Sequence, residues 1–145
     1  MAEYTALNIA KYTINRCNAK NTPITNLQLQ KILYFTWIDY YKETGQELFS
    51  DSFFAWKLGP VIPDVYYKYR LYGAEWLPGE IIGLVSFGEK VNNILNGIID
   101  RYRGRTAYDL VETSHVFFGA WDVVFDDGAG ERCPIPFSLI KQKCR

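Results

Sequence analysis

Thr25 and Gln28 have the S/T-x-x-E/Q spacing of a capping box. They head the run Ile24-Thr25-Asn26-Leu27-Gln28-Leu29-Gln30-Lys31-Ile32-Leu33-Tyr34-Phe35-Thr36-Trp37. The threonine hydroxyl can accept the amide of the third helical residue while the glutamine reaches back, so both ends of the box satisfy a helix-start donor. Ile24 and Leu29 occupy the staple positions on either side and fix the entry angle of the chain. The spacing predicts a helix from Asn26 to about Thr44, stopped by Gly45.

The wheel of this helix is apolar over more than half its circumference. Leu27, Leu29, Leu33, Tyr34, Trp37, Ile38, Tyr40 and Tyr41 leave a narrow polar stripe of Gln28, Lys31, Asp39 and Lys42. A helix so widely apolar is packed by neighbours on several sides. Two residues break the pattern. Gln30 falls within the apolar face, where an unpaired amide costs roughly 1–3 kcal/mol. Phe35 falls within the polar stripe, which points its ring outward. The ordinary readings are a glutamine satisfied by nearby backbone and a phenylalanine covered by a loop; the alternatives are direct functional roles.

Other elements can be placed around this helix. Thr5 can cap a helix from about Ala6 to Cys17, with Ile9, Ala10, Thr13, Ile14 and Cys17 on one face. Residues 48–56 fit either a short hairpin or irregular chain. Gly59-Pro60 reads as a turn, and Pro63 can open a helix to about Leu71, closed by Gly73. On that helix Val65, Tyr66, Tyr69 and Tyr72 share an inward face with Ile62, while Tyr67 points away beside Asp64 and Arg70. Ser86 with Glu89 forms a second capping box before Val91, Ile94, Leu95, Ile98, Ile99 and Tyr102, with Gly104 as the stop. Thr106 can cap a helix from Ala107 to about Ser114. The segment from Val116 to Asp127 fits a strand or a short helix, residues 126–130 read as a loop, and Pro136 can open a last helix through Gln142. The expected fold is mainly α: one helical bundle around a buried central helix, with a hairpin possible near 48–56.

Composition limits the function classes. The chain has 145 residues, 48% of them apolar and 17% aromatic, which suits a single domain with one sizeable core. Sixteen Lys and Arg balance sixteen Asp and Glu, so no overall basic field attracts a phosphate backbone, and nucleic-acid binding is disfavoured. Cys17, Cys133 and Cys144 form no C-x-x-C pair, which points to reduced thiols and a cytoplasmic setting. No apolar run approaches the roughly 18 residues of a membrane span.

Signals for catalysis are weak. His115 is the single histidine, and no G-x-S-x-G, H-E-x-x-H or paired C-x-x-C motif accompanies it. A hydrolase could still be assembled from Cys17 or Cys133 as nucleophile with Asp109 or Glu112 orienting His115. The competing reading is structural: a hydrogen-bonded side chain at a helix end, favoured there when protonated. No cofactor or metal site is indicated.

Several motifs in order carry a resemblance. Pro23-Ile24-Thr25-Asn26-Leu27, Leu29-Gln30-Lys31, Leu33-Tyr34-Phe35, Leu48-Phe49, Ala55-Trp56, Gly59-Pro60-Val61, Pro63, Val65-Tyr66 and Tyr72-Gly73 are followed by Leu110-Val111-Glu112-Thr113-Ser114-His115 and Trp121. Over residues 5–121 the chain resembles the Panacea domain of SocA-like and GepA-like, phage-associated antitoxins. The motif positions carried over are Thr25, Asn26, Leu27, Gln30, Lys31, Tyr34, Trp56, Gly59, Pro60, Tyr66, His115 and Trp121. The chain after about residue 122, following Phe117-Phe118 and Trp121, departs from the pattern and is expected to be a variable tail.

The resemblance implies a mostly helical, non-enzymatic protein that neutralises a cognate toxin by direct binding, in one form as a proteolytic adaptor. A phage or mobile-element inhibitor of a host immune effector is the alternative, and the His115 hydrolase is a third. Lys31, Phe35, Asp39, Tyr67 and Arg70 are the expected partner surface. The sequence does not specify an oligomeric state.

Overall fold

The computed structural model describes residues 4–80, 85–116 and 119–144. The expected central helix, α2 (Asn26–Thr44), follows α1 (Ala6–Ala19). Both halves of the Thr25–Gln28 capping box form, and Gly45 ends α2 in the left-handed conformation at φ 73°. Helix α1 packs the predicted face of Ile9, Ala10, Thr13, Ile14 and Cys17 into the core.

A hairpin follows, displaced along the chain from the expected stretch. Strand β1 (Phe53–Trp56) pairs antiparallel with β2 (Gly59–Val61), with Trp56 opposite Gly59 and Phe54 opposite Val61. Gly59-Pro60 thus lies in the second strand rather than in the turn, which Lys57 and Leu58 make instead. Strand β3 (Pro134–Ile135) pairs antiparallel with the other edge of β1, giving the order β2-β1-β3. Two residues are too short to leave a periodic signal in sequence. Phe53 and Ala55 face the core, and Phe54 and Trp56 alternate to the outer side.

Helix α3 (Pro63–Tyr69) runs into a 3-10 turn over Arg70–Tyr72. Val65 and Tyr69 point inward, while Tyr67 is 47% exposed as expected; Tyr72, placed inward on the wheel, is 37% exposed because the tighter turn rotates it out. Helix α4 (Glu89–Tyr102) lacks the Ser86–Glu89 capping box. Asn92 accounts for this: its amide donates to Ser86 Oγ at 3.0 Å and its carbonyl accepts the Phe87 amide at 3.0 Å. Helix α5 (Ala107–Ser114) starts at the Thr106 cap, and α6 (Ala120–Phe125) settles the ambiguous segment as helix; Phe117 and Phe118 lie outside the described residues.

Helix α7 (Phe137–Lys143) returns to α2, where the Phe137 ring stacks on Trp37 at 4.7 Å between centroids. The segment after residue 122 is therefore built into the core through β3 and α7.

Helices α4 and α5 lie across the side of α2 that its wheel assigns to solvent. Gln28 is buried and donates to the Arg105 carbonyl, and Lys31 has no exposed surface. The Phe35 ring stacks on Tyr102 at 5.1 Å and is 8% exposed, so the expected outward ring is corrected. A wheel gives the direction of each residue but not which helix will cover it.

Candidate functional site

Two side-chain amides, bonded to each other, join α2 to the chain leaving the hairpin. Gln30 Nε2 donates to Asn26 Oδ1 at 3.1 Å, Asn26 Nδ2 donates to the Tyr66 carbonyl at 3.0 Å, and Gln30 Oε1 accepts the Ile62 amide at 3.0 Å. The glutamine that broke the apolar face is fully buried and paired at both ends. It fixes β2 and α3 against the central helix.

The next residue, Lys31, reaches under the hairpin and donates to the Pro60 carbonyl at 2.9 Å. Burial lowers its pKa to about 7. Among the described residues it enters no ion pair. Gly59 permits this approach. Its φ is +116°, and an added Cβ would lie 2.6 Å from Ser114 Oγ and 2.9 Å from Lys31 Cε.

His115 caps the C-terminus of α5 beside this cluster. Its ring stacks on Trp121 at 3.8 Å between centroids, and Trp121 Nε1 donates to the Trp56 carbonyl at 2.8 Å. Burial lowers the His115 pKa, Lys31 lowers it further, and a hydrogen bond with the Leu58 backbone acts in the opposite direction. The expectation that protonation is favoured at this helix end is therefore reversed: desolvation and a neighbouring amine outweigh the helix terminus.

Two members of the hydrolase reading, Cys17 and Asp109, are committed elsewhere, and Cys133 is exposed. His115 Nε2 is buried with no hydrogen-bond partner. Cys17 lies in the α1 core, where burial pushes its thiol up to about 12, the opposite of what a nucleophile needs. Asp109 is engaged by Arg105. No group of three or more His, Cys, Asp or Glu side chains among the described residues is arranged to hold a metal.

The motif residues divide between the two faces of this unit. Lys31, Gly59, Pro60, His115 and Trp121 line its inner side. Tyr34 is buried edge-on against Phe53, its hydroxyl pKa raised by burial. Asn26, Leu27, Gln30, Trp56 and Tyr66 line a cavity of about 470 Å³ on the outer side, with Lys57, Leu58, Val61, Arg70, Gly73, Glu131 and Arg132. The Arg132 guanidinium lies 4.3 Å from the centre of a Trp56 ring, and that of Arg70 lies 5.7 Å from Tyr67.

Of the expected partner surface, Tyr67 and Arg70 are exposed beside this cavity. Lys31 and Phe35 are buried, and Asp39 accepts from the Tyr102 hydroxyl at 2.5 Å and from Arg101. Sequence reasoning missed Lys57, Leu58 and Arg132. The first two stand out only once the turn is known to fall on them. Arg132 is placed by its amide, which donates to the Ala55 carbonyl, a contact with no local signature.

The family described as Antitoxin SocA-like, Panacea domain, matches residues 29–122. Antitoxin SocA of Caulobacter vibrioides (strain NA1000 / CB15N) is 32% identical over 127 residues, covering 80% of this chain and 68% of that protein. No solved structure matches significantly.

Proposed function

The chain belongs to the SocA-like antitoxin family with a Panacea domain, and on that premise we propose that it neutralises a partner toxin by binding it directly. Family membership is the observation that carries this reading. The outer face of the hairpin supports it: Leu58 and Tyr67 are 53% and 47% exposed beside Arg70 and Arg132. Exposed aromatic and arginine side chains around a concavity are the residue types that anchor protein interfaces. Silencing a toxin in a cell calls for nanomolar affinity or better, about −12 kcal/mol, and a few such anchors can supply most of it. The proposed role is non-enzymatic, as membership of an antitoxin family suggests.

Co-expression tests the proposal. The adjacent open reading frame is expressed alone and together with this protein, growth is scored, and the pair is co-purified. Toxicity relieved by this protein, with both chains eluting in one peak, is the expected result. Rescue without a stable complex moves neutralisation to an adaptor route that hands the toxin to a protease. A harmless neighbour removes the toxin partner and favours the inhibitor of an immune effector.

A further inference from the structure

The arginines of the described chain fall into two groups. Arg16, Arg101, Arg103 and Arg105 each sit in an ion pair with an aspartate or glutamate. Arg70 and Arg132 enter none among the described residues, and both line the cavity between α3 and the hairpin. Lys57 is a third cation in the lining and also lacks an ion pair, while Glu131 is the one carboxylate there. Unpaired cations outnumber the acid at a single concavity on a chain whose net charge is zero.

The geometry of the rings gives this excess a direction. A guanidinium over an aromatic ring uses its face for the ring and keeps its N–H edge for a planar acceptor. Arg132 lies over Trp56 at 4.3 Å and enters no ion pair among the described residues. The amides of Asn26 and Gln30 in the lining are already paired, so they hold the cavity's shape. Leu58 and Tyr67 add exposed apolar surface beside the charges.

We propose that this cavity is an anchoring socket for a carboxylate side chain, aspartate or glutamate, carried next to an aromatic or large aliphatic residue on the partner protein. Carboxylate is the planar, bidentate match for an arginine N–H edge. A phosphate backbone would call for a broader basic field than this balanced chain offers. The inference rests on the binding role proposed above, and its test separates the two.

The full chain is used to pan a random-peptide phage library. The expected result is enrichment of sequences with an acidic residue beside an aromatic or aliphatic one. Synthetic copies should bind about 10- to 100-fold more weakly after exchange of that acid for its amide, and equally so with Arg70→Ala or Arg132→Ala. Both arginines are exposed, and both variants should keep the wild-type melting temperature. No enrichment, enriched sequences without acids, or undiminished binding to the arginine variants overturns the socket. Binding of a single-stranded oligonucleotide in place of acidic peptides, lost in the same variants, overturns it in favour of phosphate. Failed growth rescue with an intact peptide result removes the toxin and keeps the socket.

Discussion

Lys31 Nζ, with none of its residue exposed, donates to the Pro60 carbonyl at 2.9 Å and has no carboxylate partner among the described residues. The contact fastens the second strand of the hairpin to the central helix. It holds the outer wall of the candidate site with a group that is costly to charge in that position.

The first prediction follows from that cost. The Lys31 pKa falls from 10.5 to about 7 in the fold. Between those values the unfolded chain binds the extra proton, so unfolding free energy rises with pH, by up to about 1.4 kcal/mol per pH unit. Below the lower value both states are charged and the burial penalty is felt in full. Wild type should therefore gain stability relative to Lys31→Met as pH is raised from neutral toward the unfolded pKa. Denaturant unfolding of both chains across that range checks this, and a pH-independent difference would contradict it.

Gly59→Ala should destabilise the protein by about 2–4 kcal/mol. The added methyl meets Ser114 Oγ and Lys31 Cε, and φ +116° disfavours any side chain. Thermal unfolding measures the loss. A variant as stable as wild type would mean that the hairpin does not sit this close to α2.

Gln30→Leu keeps approximate volume but strips partners from the buried Ile62 amide and from Asn26. An unpaired buried amide costs about 1–3 kcal/mol, and a drop of that size in unfolding free energy is expected. No drop would show that the bridge between α2 and the hairpin exit contributes little.

Phe35→Ala and Tyr67→Ala should behave oppositely. Phe35 is stacked on Tyr102 and buried, so truncation should cost about 3–5 kcal/mol. Tyr67 is 47% exposed and should lose less than about 1 kcal/mol while weakening partner binding. Melting temperatures of the two variants decide this, and similar losses would overturn the assignment of Phe35 to the core and Tyr67 to the surface.

What could be read from sequence was local. The Thr25 box, the Thr106 cap, the Gly45 stop and the Pro136 start each depend on residues within one turn, and each appears where its spacing places it. The Ser86 box failed because Asn92, six residues away, engages the Ser86 hydroxyl and the next amide, that of Phe87. Phe35 and Lys31 were misplaced because their surroundings come from α4, α5 and the hairpin, distant in sequence. At the site, Trp56, Tyr66, Tyr67 and Arg70 could be named in advance, but their meeting with Arg132 depends on the pairing of β1 with the chain leading into β3.

Silencing of a toxin through the outer face of the hairpin and α3, as proposed, makes Arg70 and Arg132 necessary for rescue. Growth rescue from whatever toxin the adjacent open reading frame supplies is scored for wild type and for an Arg70→Glu, Arg132→Glu double variant, with melting temperatures measured in parallel. The expected result is rescue by wild type, loss of rescue by the double variant, and melting temperatures that agree. Full rescue by a stable double variant would contradict it, because neutralisation would then run through another surface.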